Sequence, residues 1–363
     1  LIISITLIDY ILAKKIHLSK NNTSRKLYLT YSIILNIGIL LTFKYLYFFA
    51  QNIEFLGFNI NPSKYSFVLP LGISFYTFEA ISYVVDVYNK KYIPENKYIY
   101  YFAFISFFPK LIAGPILRAK DLIPQFKSFK LNVHNFYNGF QRIIVGLFLK
   151  VVIADNISSL VDEGYLVPNE YLNPLDIWTL AFLFGIQIYF DFSAYSSIAI
   201  GSARLFGIII PENFNFPYLV NNPRDFWKRW HISLSSWLRD YLYIPLGGSR
   251  NGVNRMIFAL MMTMLLGGLW HGASWNFILW GFVHGLLLIV HRFGKEISFV
   301  KATFDKIGKF GLLISWFITQ ICIFFTWMIF RVENTSILIP SMKAFFGIGG
   351  HFDIEEMYQN LPE

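Results

Sequence analysis

One cysteine, Cys322, stands in 363 residues. A single thiol excludes a disulfide framework and a cysteine-rich metal site. Charge is scarce as well: Asp, Glu, Lys and Arg make up 15% of the chain, where a soluble protein carries about a quarter. There is no GxSxG elbow, no GxxxxGKS/T loop and no GxGxxG after a strand, which removes the common hydrolase, phosphate-loop and dinucleotide frameworks. HExxH is missing too. His284 and His291 are seven residues apart and could share a helix face, but no carboxylate stands at ligand spacing, so no metal is expected. Neither a cleavable signal peptide nor an internal repeat is visible.

What is present is apolar. The chain is 55% hydrophobic and 19% aromatic, with a mean hydropathy of +0.48. Leu27–Phe49, Phe67–Val87, Ile177–Ile200 and Phe310–Phe330 each approach the roughly 20 residues that cross a hydrocarbon core. The expected fold class is an all-α, polytopic membrane protein forming one integral-membrane domain over residues 1–363. The net charge of +9 fits lysines and arginines gathered in cytoplasmic loops, and nucleic acid is not expected as a partner. The chain opens inside an apolar run without a methionine, so it reads as a fragment whose native start is missing.

The lysine and arginine clusters draft a topology. Lys14, Lys15, Lys20, Arg25 and Lys26 form a cytoplasmic loop; Leu27–Phe49 leaves it, and Phe67–Val87 returns to Lys90, Lys91 and Lys97. "YYFAFISFFPKLIAGPILRAK" has basic flanks on both sides and is broken by Pro109, Lys110, Gly114 and Pro115. A re-entrant hairpin suits it, since broken backbone at membrane depth needs protein or a wet cavity around it. Arg142–Leu160 leads to an outer acidic loop with Asp162, Glu163 and Glu170, and Ile177–Ile200 returns to the basic region Arg204–Arg255.

That region contains "NNPRDFWKRWHISLSSWLRDYLYIPLGGSR". Asn222 can cap a helix, Pro223 suits its first turn and Asp225 favours the positive end of its dipole. Phe226, Trp230, Leu234, Trp237, Leu238, Tyr241 and Leu242 recur at helical spacing on one face, with Lys228, Arg229, Ser235, Arg239 and Asp240 on the other. The expectation is one amphipathic helix at the cytoplasmic interface, stopped by Pro245 and Gly247–Gly248. His231, one turn after Trp227, would lie on the edge of the stripe. An interface histidine and a functional one both remain open there.

"MLLGGLWHGASWNFILWGFVHG" places an ionisable His271 in an apolar setting. Met256–Trp270 and Trp275–Val290 look short for spans, and both outer flanks are basic: Arg250 and Arg255, then Arg292 and Lys295. A shallow hairpin with "HGAS" at its apex is expected. A membrane histidine is a functional hypothesis by default; the alternative is a neutral imidazole bridging two helices. The neighbouring glycines would admit a substrate, and Trp270 and Trp275 would wall a narrow pocket. A base without a protein nucleophile points to direct group transfer onto a hydroxyl. His17, His134 and His351 lie in polar loops.

These two regions resemble the signatures of the membrane-bound O-acyltransferase family, in the bacterial branch of alginate and peptidoglycan O-acetylation proteins. "LPLGISFYTFEAISYVVDVY", "FFPKLIAGPILR" and "QIYFDFSAYSSIAIGSARLFGIIIPENFNFPY" resemble that branch in the same order, so the family-like core is 70–292. Ala194 and Ser197 replace a glycine and an aspartate usual there. The resemblance implies a ring of transmembrane helices with re-entrant hairpins around a central funnel, with C-terminal spans incomplete here. It also implies an acetyltransferase of a bacterial inner membrane acting for a cell-surface polysaccharide, whether alginate-like, cellulose or peptidoglycan. Acetyl-CoA would be the donor substrate, with no bound cofactor, and an extracytoplasmic acetyltransferase the partner. His271 matches the family's near-invariant histidine and His231 its second. With Trp270, Trp275, Trp227, Arg229 and Asp225 as substrate-binding candidates, they form the expected site; Arg224, Lys228, Arg229 and Arg239 could meet the donor's phosphates or be a solvated basic face. The rivals are D-alanyl transfer to teichoic acid, a polysaccharide or lipid transporter, and a non-catalytic scaffold.

Overall fold

The computed structural model describes residues 1–167, 173–294, 297, 307–332 and 335–348. Glu170, Lys295 and His351, named above, lie outside the described residues. Every regular element among those described is helical. The order is α1 (Ile2–Leu18), α2 (Asn22–Leu40), α3 (Leu46–Phe55), α4 (Ile73–Tyr88), α5 (Tyr98–Ser106), α6 (Phe108–Leu111), α7 (Ala119–Lys127) and α8 (Val133–Phe148). Then come α9 (Asp155–Gly164), α10 (Pro174–Leu205), α11 (Pro223–Arg229), α12 (Ile232–Leu238), α13 (Val253–His271), α14 (Trp275–Gly294), α15 (Lys309–Arg331) and α16 (Thr335–Phe345).

Wide π-turns at Leu41–Tyr45 and Leu149–Ala154 carry α2 into α3 and α8 into α9. Among the described residues, six helical stretches are then long and apolar enough to cross a membrane: Asn22–Phe55, Val133–Gly164, Pro174–Leu205, Val253–His271, Trp275–Gly294 and Lys309–Arg331. The chain is a polytopic all-α membrane protein. Its contacts divide it into two compact units, 1–148 with 192–215 and 227–259, and 149–191 with 216–226 and 260–363.

In the first unit α1 packs on α2, α4 and α5. Asp9 of α1 is fully buried there and accepts from the Ser32 hydroxyl at 2.5 Å and the Asn36 amide at 2.8 Å. The helix α4 opens at Ile73, not at Phe67 where the apolar run begins. Gly72 forces the start: its φ is +71°, and a Cβ there would strike the Leu111 carbonyl. Along α4 nearly every side chain is buried, so it lies inside the protein.

The segment after α4 is broken as its sequence implies, into α5 and the four-residue α6. Glu79 of α4 holds the break together. Its carboxylate pairs with Lys110 of α6 and accepts the Leu117 N–H at 3.1 Å. Both charges are buried, and an ion pair out of water persists only when it is also hydrogen-bonded.

The single amphipathic helix expected over Asn222–Leu242 does not form. The chain makes α11, breaks at Trp230–His231, and resumes as α12 and a π-turn at Arg239–Tyr243. His231 sits at the break with φ +43° and ψ +56°, in the left-handed region. The stripe is real but faces protein. Trp230, Leu234, Trp237 and Leu238 are buried; Trp237 stacks on Phe78 of α4 at 3.9 Å and donates to its carbonyl at 2.9 Å. Periodicity reports an apolar face and is silent on whether lipid or protein covers it. The π-turn ends the face: burial pushes the Tyr241 phenol well above its ordinary range, so it stays a donor to Asp86, at 2.9 Å.

In the second unit α14 packs on α15, and α15 on α16. The arms α13 and α14 have 19 and 20 residues, longer than expected. At 1.5 Å per residue each reaches about 28–30 Å. Glycines let them close on each other. A Cβ on Gly268 would meet the Phe277 carbonyl, and one on Gly281 the Met264 carbonyl. Such small-residue contacts bring backbones together where no hydrophobic force separates helix from lipid.

Candidate functional site

His271 ends α13 at the apex of the hairpin and is half-buried. Three rings stand edge-to-face around its imidazole: Trp270 at 5.0 Å, Trp280 at 5.1 Å and Phe330 at 5.3 Å. Trp270 and Trp280 are buried. Trp270 therefore walls the histidine as its position suggests, whereas Trp275 opens α14 with 54% of its surface exposed. Trp280 and Phe330 complete the walls. Phe330 is brought in by α15, which Asn276 ties to α14 by donating to the Phe330 carbonyl at 3.1 Å. Gly272 is fixed by packing, since the Phe277 ring occupies the place of a Cβ. The three rings restrict the imidazole and leave part of it accessible, an arrangement in which a proton acceptor could meet a hydroxyl in a defined orientation.

One turn below Trp280, His284 is fully buried. Trp280 stands 4.6 Å from it and Phe226 stacks on it at 6.1 Å, so it belongs to this aromatic cluster. No group of three or more His, Cys, Asp or Glu able to hold a metal occurs among the described residues.

His231 belongs to the first unit and is 1% exposed. Its Nδ1 lies 3.2 Å from Oδ1 of Asn213. That oxygen also receives the Ser233 N–H at 3.2 Å and the Ser233 hydroxyl at 2.9 Å, while Asn213 Nδ2 donates to Ser196 at 3.3 Å. A backbone N–H can only donate, so the atom facing His231 is the amide oxygen. Nδ1 therefore carries a proton, and in the neutral tautomer this leaves the lone pair on Nε2. Phe192 closes one side edge-on at 4.7 Å. The left-handed backbone, uncommon for a side chain with a Cβ, is held by Ile232 N–H donating to the Asn213 carbonyl at 2.9 Å. Ser233 also accepts the Ile116 N–H at 2.9 Å, so the broken segment pinned by Glu79 is pinned again beside His231.

The remaining candidates are placed as follows. Asp225 is engaged in capping: Asn222 accepts its N–H and donates to its carboxylate, both at 2.8 Å, the cap anticipated for α11. Trp227 and Arg229 are half-buried, and the Arg229 carbonyl accepts the Asn215 N–H at 2.9 Å. His231 lies in one unit and His271 in the other.

Sequence reasoning missed Asn213, Ser233, Trp280 and Phe330. It also missed Lys150, which bridges Asp155 and Asp191 at 2.6 Å each within two of the apolar stretches. Ionisable residues there were a signal in themselves. No periodicity links Asn213 in a loop to a histidine 18 residues later.

Residues 96–330 match the model of the MBOAT, membrane-bound O-acyltransferase family. The chain is 36% identical to a peptidoglycan O-acetyltransferase of Helicobacter pylori, covering 96% of this chain and 70% of that protein. It is 39% identical to a "Probable alginate O-acetylase" of Pseudomonas aeruginosa, over 89% of this chain and 61% of that protein. A teichoic acid D-alanyltransferase of Bacillus subtilis is 30% identical over 62% of this chain and 60% of its own length. The chain thus spans roughly two thirds of the length of these relatives.

Proposed function

Because this chain belongs to the membrane-bound O-acyltransferase family, we propose that it moves an acetyl group from acetyl-CoA, supplied from the cytoplasm, to a hydroxyl in the O-acetylation of a cell-surface polysaccharide. Its place would be the plasma membrane of a bacterium. Support for acetyl over D-alanyl comes from coverage: the relatives named for O-acetylation align with 89% and 96% of the chain, the D-alanyltransferase with 62%.

The observation that carries the reading is His271 at a hairpin apex, walled by Trp270, Trp280 and Phe330. The acceptor oxygen attacks the thioester carbonyl; the C–O bond forms as the C–S bond breaks. His271 takes the hydroxyl proton and returns it to the leaving thiolate. His231 is the second histidine of the reaction, its Nε2 lone pair set by Asn213. Arg229 and the basic residues beside it hold the donor's phosphates. The immediate acceptor is a side chain of an extracytoplasmic transferase that completes the transfer to polymer.

The test is acetyl release and transfer from labelled acetyl-CoA by purified parent and His271→Gln proteins. Glutamine keeps hydrogen bonding but accepts no proton near neutral pH. Loss of a general base costs about 10²–10⁴ in rate, on the order of 3–5 kcal/mol of barrier. The expected result is transfer below about one per cent of the parent, with normal expression and retained acetyl-CoA binding. Transfer at a comparable rate by folded His271→Gln protein would remove His271 as the base.

A further inference from the structure

A cavity of about 440 Å³ opens at the lysine-rich end of α1 and α4, and neither His231 nor His271 lines it. His17, Lys20, Arg25 and Lys90 line it, and among its lining residues there is no carboxylate. The ends of α1 and α4 present carbonyls and negative dipole ends that would repel an anion. Arg25 cancels them. It donates from Nε to the Ile16 carbonyl at 3.2 Å and from Nη2 to the Tyr88 carbonyl, with its guanidinium 5.2 Å from the centre of the Tyr88 ring. Lys90 occupies a left-handed position, φ +58°, in the turn where its N–H donates to Val87 and the next N–H to Asp86.

The cavity has an apolar side. Val87 and Ile93 line it, Ile93 with 73% of its surface exposed. From its mouth the exposed residues Leu18, Ile11, Leu7 and Ile3 follow the outer face of α1, opposite the buried Ile5, Asp9, Ala13 and Ile16. A cationic cup continuous with an apolar stripe matches a molecule with an anionic head and hydrocarbon tails. We propose that this cavity binds the phosphate of an anionic phospholipid, whose acyl chains lie along α1. Basic pockets at the positive-inside end of membrane helices take such head groups. A free phosphate would use the cup and leave the stripe unused.

Native mass spectrometry of the purified full chain tests this with phosphatidylglycerol, phosphatidylcholine, inorganic phosphate and coenzyme A. Phosphatidylglycerol is expected to stay bound, at least tenfold more tightly than zwitterionic phosphatidylcholine. The double variant Lys20→Gln/Lys90→Asn should lose at least tenfold of that affinity, on the order expected for two cations at an anionic surface. Asparagine suits the left-handed backbone at position 90, so folding and acetyl transfer should be unchanged; Lys20→Gln alone leaves the turn at Lys90 untouched and should show part of the loss. Equal retention of the two lipids, or parent-like binding by the folded variants, would overturn the proposal. Displacement of phosphatidylglycerol by micromolar coenzyme A or inorganic phosphate would also overturn it and assign the cup to a soluble phosphate.

Discussion

Asn213 decides which nitrogen of His231 carries the proton. Its Oδ1, fixed by the Ser233 N–H at 3.2 Å, stands 3.2 Å from the ring Nδ1. Removing the amide in Asn213→Ala strands donors in a buried place, at about 1–3 kcal/mol of stability. Asn213→Asp keeps the acceptor and adds a charge that favours the imidazolium. The expected outcome is lowered kcat with near-constant KM for the alanine variant. For the aspartate variant, recovered turnover should come with the low-pH limb of the rate profile moved to higher pH. A profile superimposing on the parent's would separate His231 from the chemistry.

The left-handed backbone at His231 separates stability from function. Glycine adopts φ +43° freely, and a non-glycine residue held there costs of order 1–3 kcal/mol. His231→Gly should therefore unfold at a temperature within a few degrees of the parent, while His231→Ala keeps the strain. Both should cut acetyl transfer at least tenfold, the low end of a general acid–base contribution. Transfer within twofold of the parent in both variants would leave His231 a packing residue only.

Glu79 and Lys110 should couple strongly. Breaking a buried pair by removing one charge costs about 3–5 kcal/mol, whereas replacing both is often neutral. Thermal unfolding in detergent is expected to fall sharply for Lys110→Met. It should recover in Glu79→Gln/Lys110→Met, where glutamine still accepts the Leu117 N–H. Additive losses in the double variant would show that the pair is not a unit.

Cysteines introduced in a Cys322→Ser background report topology. Arg255 and Arg292 flank the hairpin of α13 and α14, and should react with an impermeant thiol reagent from one side of the membrane. Lys97 and Lys120 should behave likewise if α5 and α6 re-enter. Labelling of either pair from opposite faces would refute that hairpin.

The helical, polytopic character was legible because it follows from composition and from runs of span length. The break after α5 was legible because Pro109 and Pro115 cannot sit in the interior of one straight helix. The cap at Asn222 was read correctly from local chemistry alone. His271 was singled out by its apolar setting, and Trp270 by adjacency. Trp280 and Phe330 were not: nine and 59 residues from His271 in sequence, they reach it through helix pairing that no local pattern encodes. The break at His231 was also hidden, since Trp227 to Leu238 keep helical spacing across it. Asn213, a loop residue with no periodic signal, needed the folded backbone to be seen.

The Glu79 carboxylate closes Lys110 and Leu117 into one short loop, and this bears on how the chain is built. The helices α5 and α6 have nine and four residues, well short of the roughly 20 that a helix needs to span lipid unaided. The strand of chain emerging after Lys97 thus has no stable resting place in the bilayer of its own. It is held by α4, which precedes it in the chain, so the residue that clasps the break, Glu79, is synthesised before the part it fastens.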